Sequence, residues 1–370
     1  MTEALLARPT HRDETHFIRA DDGVPLTLIR VRGGQEPTKG PVLLVHGAGV
    51  RAELFRPPVE RTIVDALIAD GWDVWLLNWR ASIDLDPVPW TLDDAAAYDH
   101  PAAVRHIVAR TGAASIKAVV HCQGSTSFCM SAVAGLLPEV GLIVSNAVSL
   151  HPVIPAFARF KIQALRPAMQ QLTPYLNPAW GDGPNTPFSR VARGAVLATH
   201  RECTNPVCRM VSFTYGSGRP ALWSHENLNE ETHDWLRGEF GIVPMSFFAQ
   251  MAACVRAGEL VSVSNRPGLV QRYATDPPRT KARFALFTGA RNRCFLPESQ
   301  RSTYEYLRQH RTGDSLHVLP TYGHLDVFLG KHAADDVYPA ILGELNLPTT
   351  ATTPAQGVAA HWVGQQPERE

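Results

Sequence analysis

Three residues of this chain are best equipped for covalent chemistry, and each follows a strand-like segment. The first is Cys122. Ile116-Lys-Ala-Val-Val120 reads as a short buried strand and Ser125 to Leu137 has helical spacing. His121-Cys122-Gln123-Gly124 between them is therefore a sharp strand-to-helix turn, the frame of a nucleophile elbow with cysteine where serine is usual. A side chain on such a turn is pushed clear of the sheet, and the helix N-terminus behind it favours a thiolate or an oxyanion. The competing reading is a buried cysteine on an ordinary β-to-α connection. Asn292 lies three residues past Gly289, after the strand-like Phe284-Ala-Leu-Phe-Thr288, and His324 follows Gly323 after Leu316-His-Val-Leu319. Taken singly, a turn asparagine and a surface-loop histidine would explain both.

Val45-His-Gly-Ala-Gly49 also follows a strand directly. Its glycines let the backbone turn with N–H groups aimed inward, which suits an oxyanion. Gln123, with Ala48 or Gly49, is the expected pair of donors. The spacing Gly47-x-Gly49-x-x-Ala52 also fits a dinucleotide fingerprint. Against that reading, Pro57-Pro58 would break the helix that should hold the pyrophosphate, and the next strand ends at Asn78, not at an acidic residue. Asp326 is an alternative partner for His324, although a residue two positions away more often caps local backbone. Cys203 and Cys208 could pair or, with His200, hold zinc, but their spacing fits no common zinc pattern.

The elements that must position these residues form an alternating series. His16–Arg19 and Leu26–Val31 are expected to be two strands joined by Asp21-Asp-Gly23. Val42–Val45, Asp73–Leu77, Ile116–Val120 and Val140–Leu150 are further strands, with helices over Val59–Asp70 and Asp93–Thr111. This rhythm predicts an α/β fold with a mostly parallel central sheet and helices on both faces. From 151 to 263 the pattern becomes richer in helices, prolines and aromatics, and predicts an inserted, mostly helical lid after the sixth strand. The rhythm returns over 264–346 with a helix over Pro297–Gln309, the two strands already named and a last helix over Ala333–Leu345. The core's first part is thus 13–150, and 347–370 is expected to be a mobile tail.

Composition narrows the function classes. The 370 residues carry 35 basic and 35 acidic side chains and 45% hydrophobic residues. There is no basic footprint for neutralising phosphates, which argues against nucleic acid as a partner. No apolar run is long enough to span a membrane, no secretory segment opens the chain and six cysteines do not make a disulfide framework, so a cytoplasmic location is expected. The sequence sets no oligomeric state.

Together these motifs resemble the α/β-hydrolase superfamily, and within it the acid-lipase-like branch and the hydrolase modules fused to cholesterol-oxidase-like (GMC-type) flavoenzymes. The resemblance rests on Val45-His-Gly-Ala-Gly49, Asp73-Val-Trp-Leu-Leu-Asn-Trp-Arg80, Tyr98-Asp-His-Pro-Ala102, His121-Cys-Gln-Gly124, Gly289-Ala-Arg-Asn292 and Gly323-His-Leu-Asp326. Cys122, Asn292 and His324 then fall in the family's nucleophile–acid–histidine order. Cysteine stands for serine, asparagine for the usual carboxylate, and Val120 for a small residue. The first two changes are mutually compatible. A thiol is acidic enough to rest with histidine as a thiolate–imidazolium pair, leaving the third group to orient the ring, as asparagine does in papain-like proteases.

The expectation is a hydrolase of a lipophilic ester, lactone or thioester acting through acyl-Cys122, with no metal or organic cofactor. An acyltransferase or cyclising thioesterase using the same site is the first alternative, and a non-catalytic binding protein of the same fold the second. Phe157, Phe160, Trp180, Phe213, Tyr215, Trp223, Phe240, Phe247 and Phe248 are candidate pocket walls.

Overall fold

Strand β3 (Pro41–Val45) is buried along its whole length and shows how the fold is layered. Val42 and Leu44 belong to one hydrophobic cluster and Leu43 and Val45 to another, so alternate side chains feed cores on opposite faces of one sheet. Each such fully buried side chain contributes about 1.5–3 kcal/mol relative to exposure. The computed structural model describes residues 11–179, 203–218 and 220–348, with Gly194 and Val196; the expected tail lies outside the described residues.

Eight strands form the main sheet: β1 (Arg12–Arg19), β2 (Pro25–Arg32), β3, β4 (Asp73–Asn78), β5 (Ile116–His121), β6 (Val140–Asn146), β9 (Arg283–Gly289) and β10 (Ser315–Leu319). Their order is β1-β2-β4-β3-β5-β6-β9-β10. The β1–β2 hairpin and the β2–β4 pairing are antiparallel, and every other pairing is parallel. This is the α/β-hydrolase fold.

Helix α1 (Ile63–Ala69) starts four residues later than its apolar pattern suggests. Thr62 and Asp65 close a capping box there, beyond Pro57-Pro58. The helix expected over Asp93–Thr111 is a run of α2 (Leu92–Asp94), a π turn (Ala95–Asp99) and α3 (His100–Thr111). Pro101 has no N–H to continue the ladder, and the π turn just before it absorbs the break. Asp99 on that turn accepts from the Arg80 guanidinium (2.6 Å) and from the Arg80 N–H (3.0 Å), tying the end of β4 to α3. Two motifs that carried the family resemblance are thus one buried ion pair.

Helix α4 (Cys122–Val133) begins at the cysteine itself, three residues before the expected start. Strand β6 stops at Asn146 because Ala147 takes φ 81°, leaving Val148 to Leu150 out of the strand. Between β6 and β9 come α5 (Ala156–Phe160), α6 (Arg166–Leu172), α7 (Pro206–Tyr215), α8 (Glu230–Trp235) and α9 (Met245–Ala257). A two-stranded ribbon of β7 (Tyr175–Leu176) and β8 (Val243–Pro244) lies among them. Beyond β9 follow α10 (Glu298–His310), α11 (Asp326–Leu329), α12 (Ala333–Asp336) and α13 (Tyr338–Asn346). The expected last helix divides before Pro339, which cannot sit inside a continuous one.

Candidate active site

Cys122 has φ 56°, one of two non-glycine residues with positive φ among those described. A left-handed conformation costs a residue with a Cβ about 1–2 kcal/mol, and here it turns β5 into α4 within one residue. Two glycines make the turn possible by leaving space. A Cβ on Gly124 would lie 2.2 Å from the His46 carbonyl oxygen, so only glycine lets α4 start against the end of β3. A Cβ on Gly47 would lie 2.9 Å from Cys122 Cβ and 3.3 Å from Sγ, in the space the thiol needs.

The backbone N–H groups of Gln123 and Ala48 are both directed at Cys122 Sγ. Tyr215 fixes the Ala48 peptide from its other end, donating its hydroxyl to the Ala48 carbonyl at 3.3 Å. Gly49, the alternative donor in the sequence reading, gives its N–H to the Ala81 carbonyl at 3.1 Å and is not available. A ring nitrogen of His324 lies within 4.8 Å of the sulfur.

Asn292 faces His324 with its Nδ2 3.1 Å from the ring Nδ1. Its Oδ1 accepts from the N–H groups of Cys294 and Phe295, both at 3.0 Å. Those bonds fix which end of the amide meets the histidine: the NH2 donates, Nδ1 accepts and the ring proton belongs on Nε2. This is the reverse of an oxygen accepting from an imidazolium. Burial also pushes the Cys122 thiol up to about 12, against the two N–H groups that pull it down, and pushes His324 down to about 3. Both shifts favour a neutral thiol beside a neutral imidazole over the expected thiolate–imidazolium pair.

Asp326 does not reach for the histidine ring. Its Oδ1 accepts from the Gly323 N–H (2.8 Å), and its Oδ2 accepts from Ser224 N–H (3.2 Å) and Asn227 Nδ2 (2.6 Å). It thereby ties the His324 loop to the segment between β6 and β9. Ser125 is buried beneath the turn in a chain with Ser145, Ser149 and Gln300. His121 meets the His324 ring at 4.7 Å between centroids, and its Nδ1 is 2.9 Å from Asn146 Nδ2.

Cys294 and Asn146 are site residues that the sequence reading does not single out, and Tyr215 was expected only as a pocket wall. Asn146 had one signal, a polar Ser145-Asn146 pair closing an otherwise apolar strand. Cys294, and the hydrogen bond from Tyr215 to Ala48, had none, being brought to the site only by tertiary packing.

A cavity of about 610 Å³ opens over Cys122 and His324. Of the candidate wall aromatics, Phe213, Tyr215, Phe240, Phe247 and Phe248 line it. Phe157 and Phe160 are about half exposed, Trp223 packs in the core without lining the cavity and Trp180 lies outside the described residues. A second cluster, Cys203, Cys208, His225 and His233, gathers between β6 and β9; His200 lies outside the described residues.

No protein-family model matches the chain. Among curated proteins it is similar to human lipase member K, at 23% identity over 89% of this chain and 86% of that protein. It is also similar to the lysosomal acid lipase/cholesteryl ester hydrolase of Macaca fascicularis, at 27% identity over 38% of this chain and 39% of the relative. Among solved structures, an esterase from Thermogutta terrifontis aligns with TM-score 0.54 and 14% identity over 90% of this chain and 98% of the other. A monoglyceride lipase variant from Saccharomyces cerevisiae aligns with TM-score 0.55 and 12% identity over 93% and 97%. No helix among the described residues is long and apolar enough to cross a membrane.

Proposed function

We propose that this chain, a protein of the α/β-hydrolase fold with lipase- and esterase-like relatives, is a cysteine-dependent acyl hydrolase. Its substrate is a lipophilic ester, lactone or thioester, and the segment between β6 and β9 serves as its lid. The observation that carries the reading is the setting of Cys122. The thiol is on a strained strand-to-helix turn, faces two backbone N–H groups and has a histidine nitrogen within 4.8 Å. The apolar cavity above it supports a lipophilic acyl group.

In this mechanism the Asn292 amide first turns over to accept from Nδ1–H, which places His324 in the Nδ1–H tautomer; Cys122 Sγ then bonds to the carbonyl carbon while its proton passes to the freed His324 Nε2. The carbonyl oxygen becomes an oxyanion held by the N–H groups of Ala48 and Gln123; removing one such donor typically costs about 2.7–4 kcal/mol in the barrier. The tetrahedral intermediate collapses to an acyl-thioester as His324 returns the proton to the leaving oxygen or sulfur. Water, deprotonated by His324, then releases the acid and frees the thiol. Nε2 can accept a proton only in that Nδ1–H tautomer, and the imidazolium that forms keeps its Nδ1–H on the turned Asn292 Oδ1. Asn292 is thus a positioning residue with an energetic cost attached to its motion.

A panel of acyl esters and thioesters, with intact-mass detection after quenching, tests this reading. The native protein should carry an acyl adduct that is absent from Cys122→Ala, whose turnover should fall at least about a thousandfold. Full turnover by Cys122→Ala would sink the proposal. The sparsely polar cavity also favours a second acceptor, because an acyl-thioester shielded from water survives long enough to meet an amine or alcohol. An amide or ester product formed in preference to acid identifies that transferase or cyclase activity.

A further inference from the structure

We propose that Cys203, Cys208, His225 and His233 bind a zinc ion that fastens together three elements of the segment between β6 and β9. One ligand atom from each of these four side chains lies within 4.8 Å of all the others. Around tetrahedral zinc, Zn–S bonds of about 2.3 Å and Zn–N bonds of about 2.0–2.1 Å set ligand–ligand separations of roughly 3.3–3.8 Å. Cys208 Sγ and His225 Nε2 are already 3.3 Å apart. Closing the set around the ion requires movements of about an ångström or less, within reach of side-chain rotation.

The donor set is chemically specific. Two thiolates with two imidazoles in a tetrahedral arrangement select zinc over the harder cations. Cys203 and Cys208 are close but form no disulfide. The Cys203 side chain is within hydrogen-bonding reach of Cys208, His225 and His233, so the four ligand groups already converge on one point. Zinc binding displaces one proton from each thiol, leaving two thiolates, two neutral imidazoles and no net charge at the ion.

The backbone around the ligands is held independently of them. Asn205 caps α7, accepting from the Val207 and Cys208 N–H groups at 3.0 and 3.2 Å, and its Nδ2 donates to the His233 carbonyl at 2.6 Å. One side chain therefore sets the spacing between Cys208 and His233. His225 opens the turn that contains Asn227, which donates to Asp326 beside the catalytic loop. Such a zinc site fixes the first turn of α7, whose last turn, Phe213 to Tyr215, lines the cavity.

Among the described residues, the second group meeting the same distance condition is His121, Cys122 and His324, so the test must separate the two. The native chain, purified without chelator and dialysed, should hold about one zinc per chain by plasma mass spectrometry. After chelation and reconstitution with Co2+ alone, it should show the absorption of tetrahedral cobalt bound by thiolates. Cys122→Ser should retain both properties, and Cys203→Ser/Cys208→Ser should lower bound metal at least tenfold. If the double variant fails to fold, the native cobalt spectrum together with its persistence in Cys122→Ser decides the matter. The proposal is overturned by native protein with less than a tenth of a zinc and no cobalt spectrum, by metal lost in Cys122→Ser, or by a Cys203–Cys208 disulfide in the freshly purified chain.

Discussion

Replacing Asn292 with aspartate should make the enzyme faster. In the resting site, Asn292 Oδ1 holds the N–H groups of Cys294 and Phe295, and its NH2 meets His324 Nδ1. An imidazolium would set Nδ1–H against that NH2, donor against donor. Turning the amide relieves the clash but presents NH2 to two buried N–H groups, each costing about 1–3 kcal/mol once unpartnered. The sum, about 2–6 kcal/mol, corresponds to roughly 30- to 10⁴-fold in rate at about 1.4 kcal/mol per tenfold. An aspartate keeps both N–H bonds with one oxygen and offers the other to Nδ1–H without moving. The reverse exchange in a serine-protease triad lowers kcat by about 10⁴ because the wrong tautomer is held. The assay is the pre-steady-state burst of a chromogenic acyl ester, compared between Asn292→Asp and the native chain over pH 5–9. An acylation rate at least about 30-fold higher is expected. A folded Asn292→Asp protein with an unchanged or slower burst would refute the tautomer argument.

Three further outcomes follow from the same geometry. Gly47→Ala places a methyl against Cys122 and should lower kcat/KM at least about tenfold, measured on the same ester, while overpacking costs about 1–3 kcal/mol of stability. Asp326→Ala leaves the Gly323 and Ser224 N–H groups without their acceptor and should cost at least about 2 kcal/mol in urea unfolding, yet reduce the burst less than Asn292→Ala does. The reverse order of burst effects would make Asp326 the orienting group. Stability should also fall steeply on acidification from about pH 6.5 toward 4. Burial holds His46 down to about 4, His100 and His324 down to about 3 and His121 well below its usual value, so the unfolded chain takes up protons the folded chain refuses. Asp326, raised by burial to about 6, works oppositely: its contribution is lost as pH rises between about 4 and 6 and offsets about one histidine. At about 1.4 kcal/mol per pH unit each, the net slope is up to roughly 4 kcal/mol per unit, read from urea midpoints at stepped pH. A flat profile would contradict this accounting.

The sheet was legible because its strands are short apolar runs with a clear period, and the ends of β5, β9 and β10 placed Cys122, Asn292 and His324 at one edge. Helix limits were less legible where chemistry other than hydrophobic period sets them. Thr62 and Asp65 move the start of α1, and Pro101 and Pro339 reshape runs whose apolar pattern is continuous. Residue types at the site could be read, but their electrostatics could not. Which end of Asn292 meets His324 depends on the N–H groups of residues 294 and 295, and no spacing reveals that orientation. The Cys203–Cys208 pair was visible, whereas His225 and His233 reach it only through the path of the chain from α7 to α8.

The cavity above Cys122 shares much of its wall with the larger of the two hydrophobic clusters, through Ile154, Leu222, Phe240, Phe247, Met251 and Phe295. Filling it with an acyl chain therefore extends the folded core as well as loading the site. A ligand at a hundred times its dissociation constant adds about 2.7 kcal/mol to the folded state by mass action alone. Melting temperature thus becomes a search instrument. A library of lipophilic acyl compounds screened against Cys122→Ala would rank ligands by affinity, turnover being absent, and the chain length giving the largest shift would measure the space available beside the thiol.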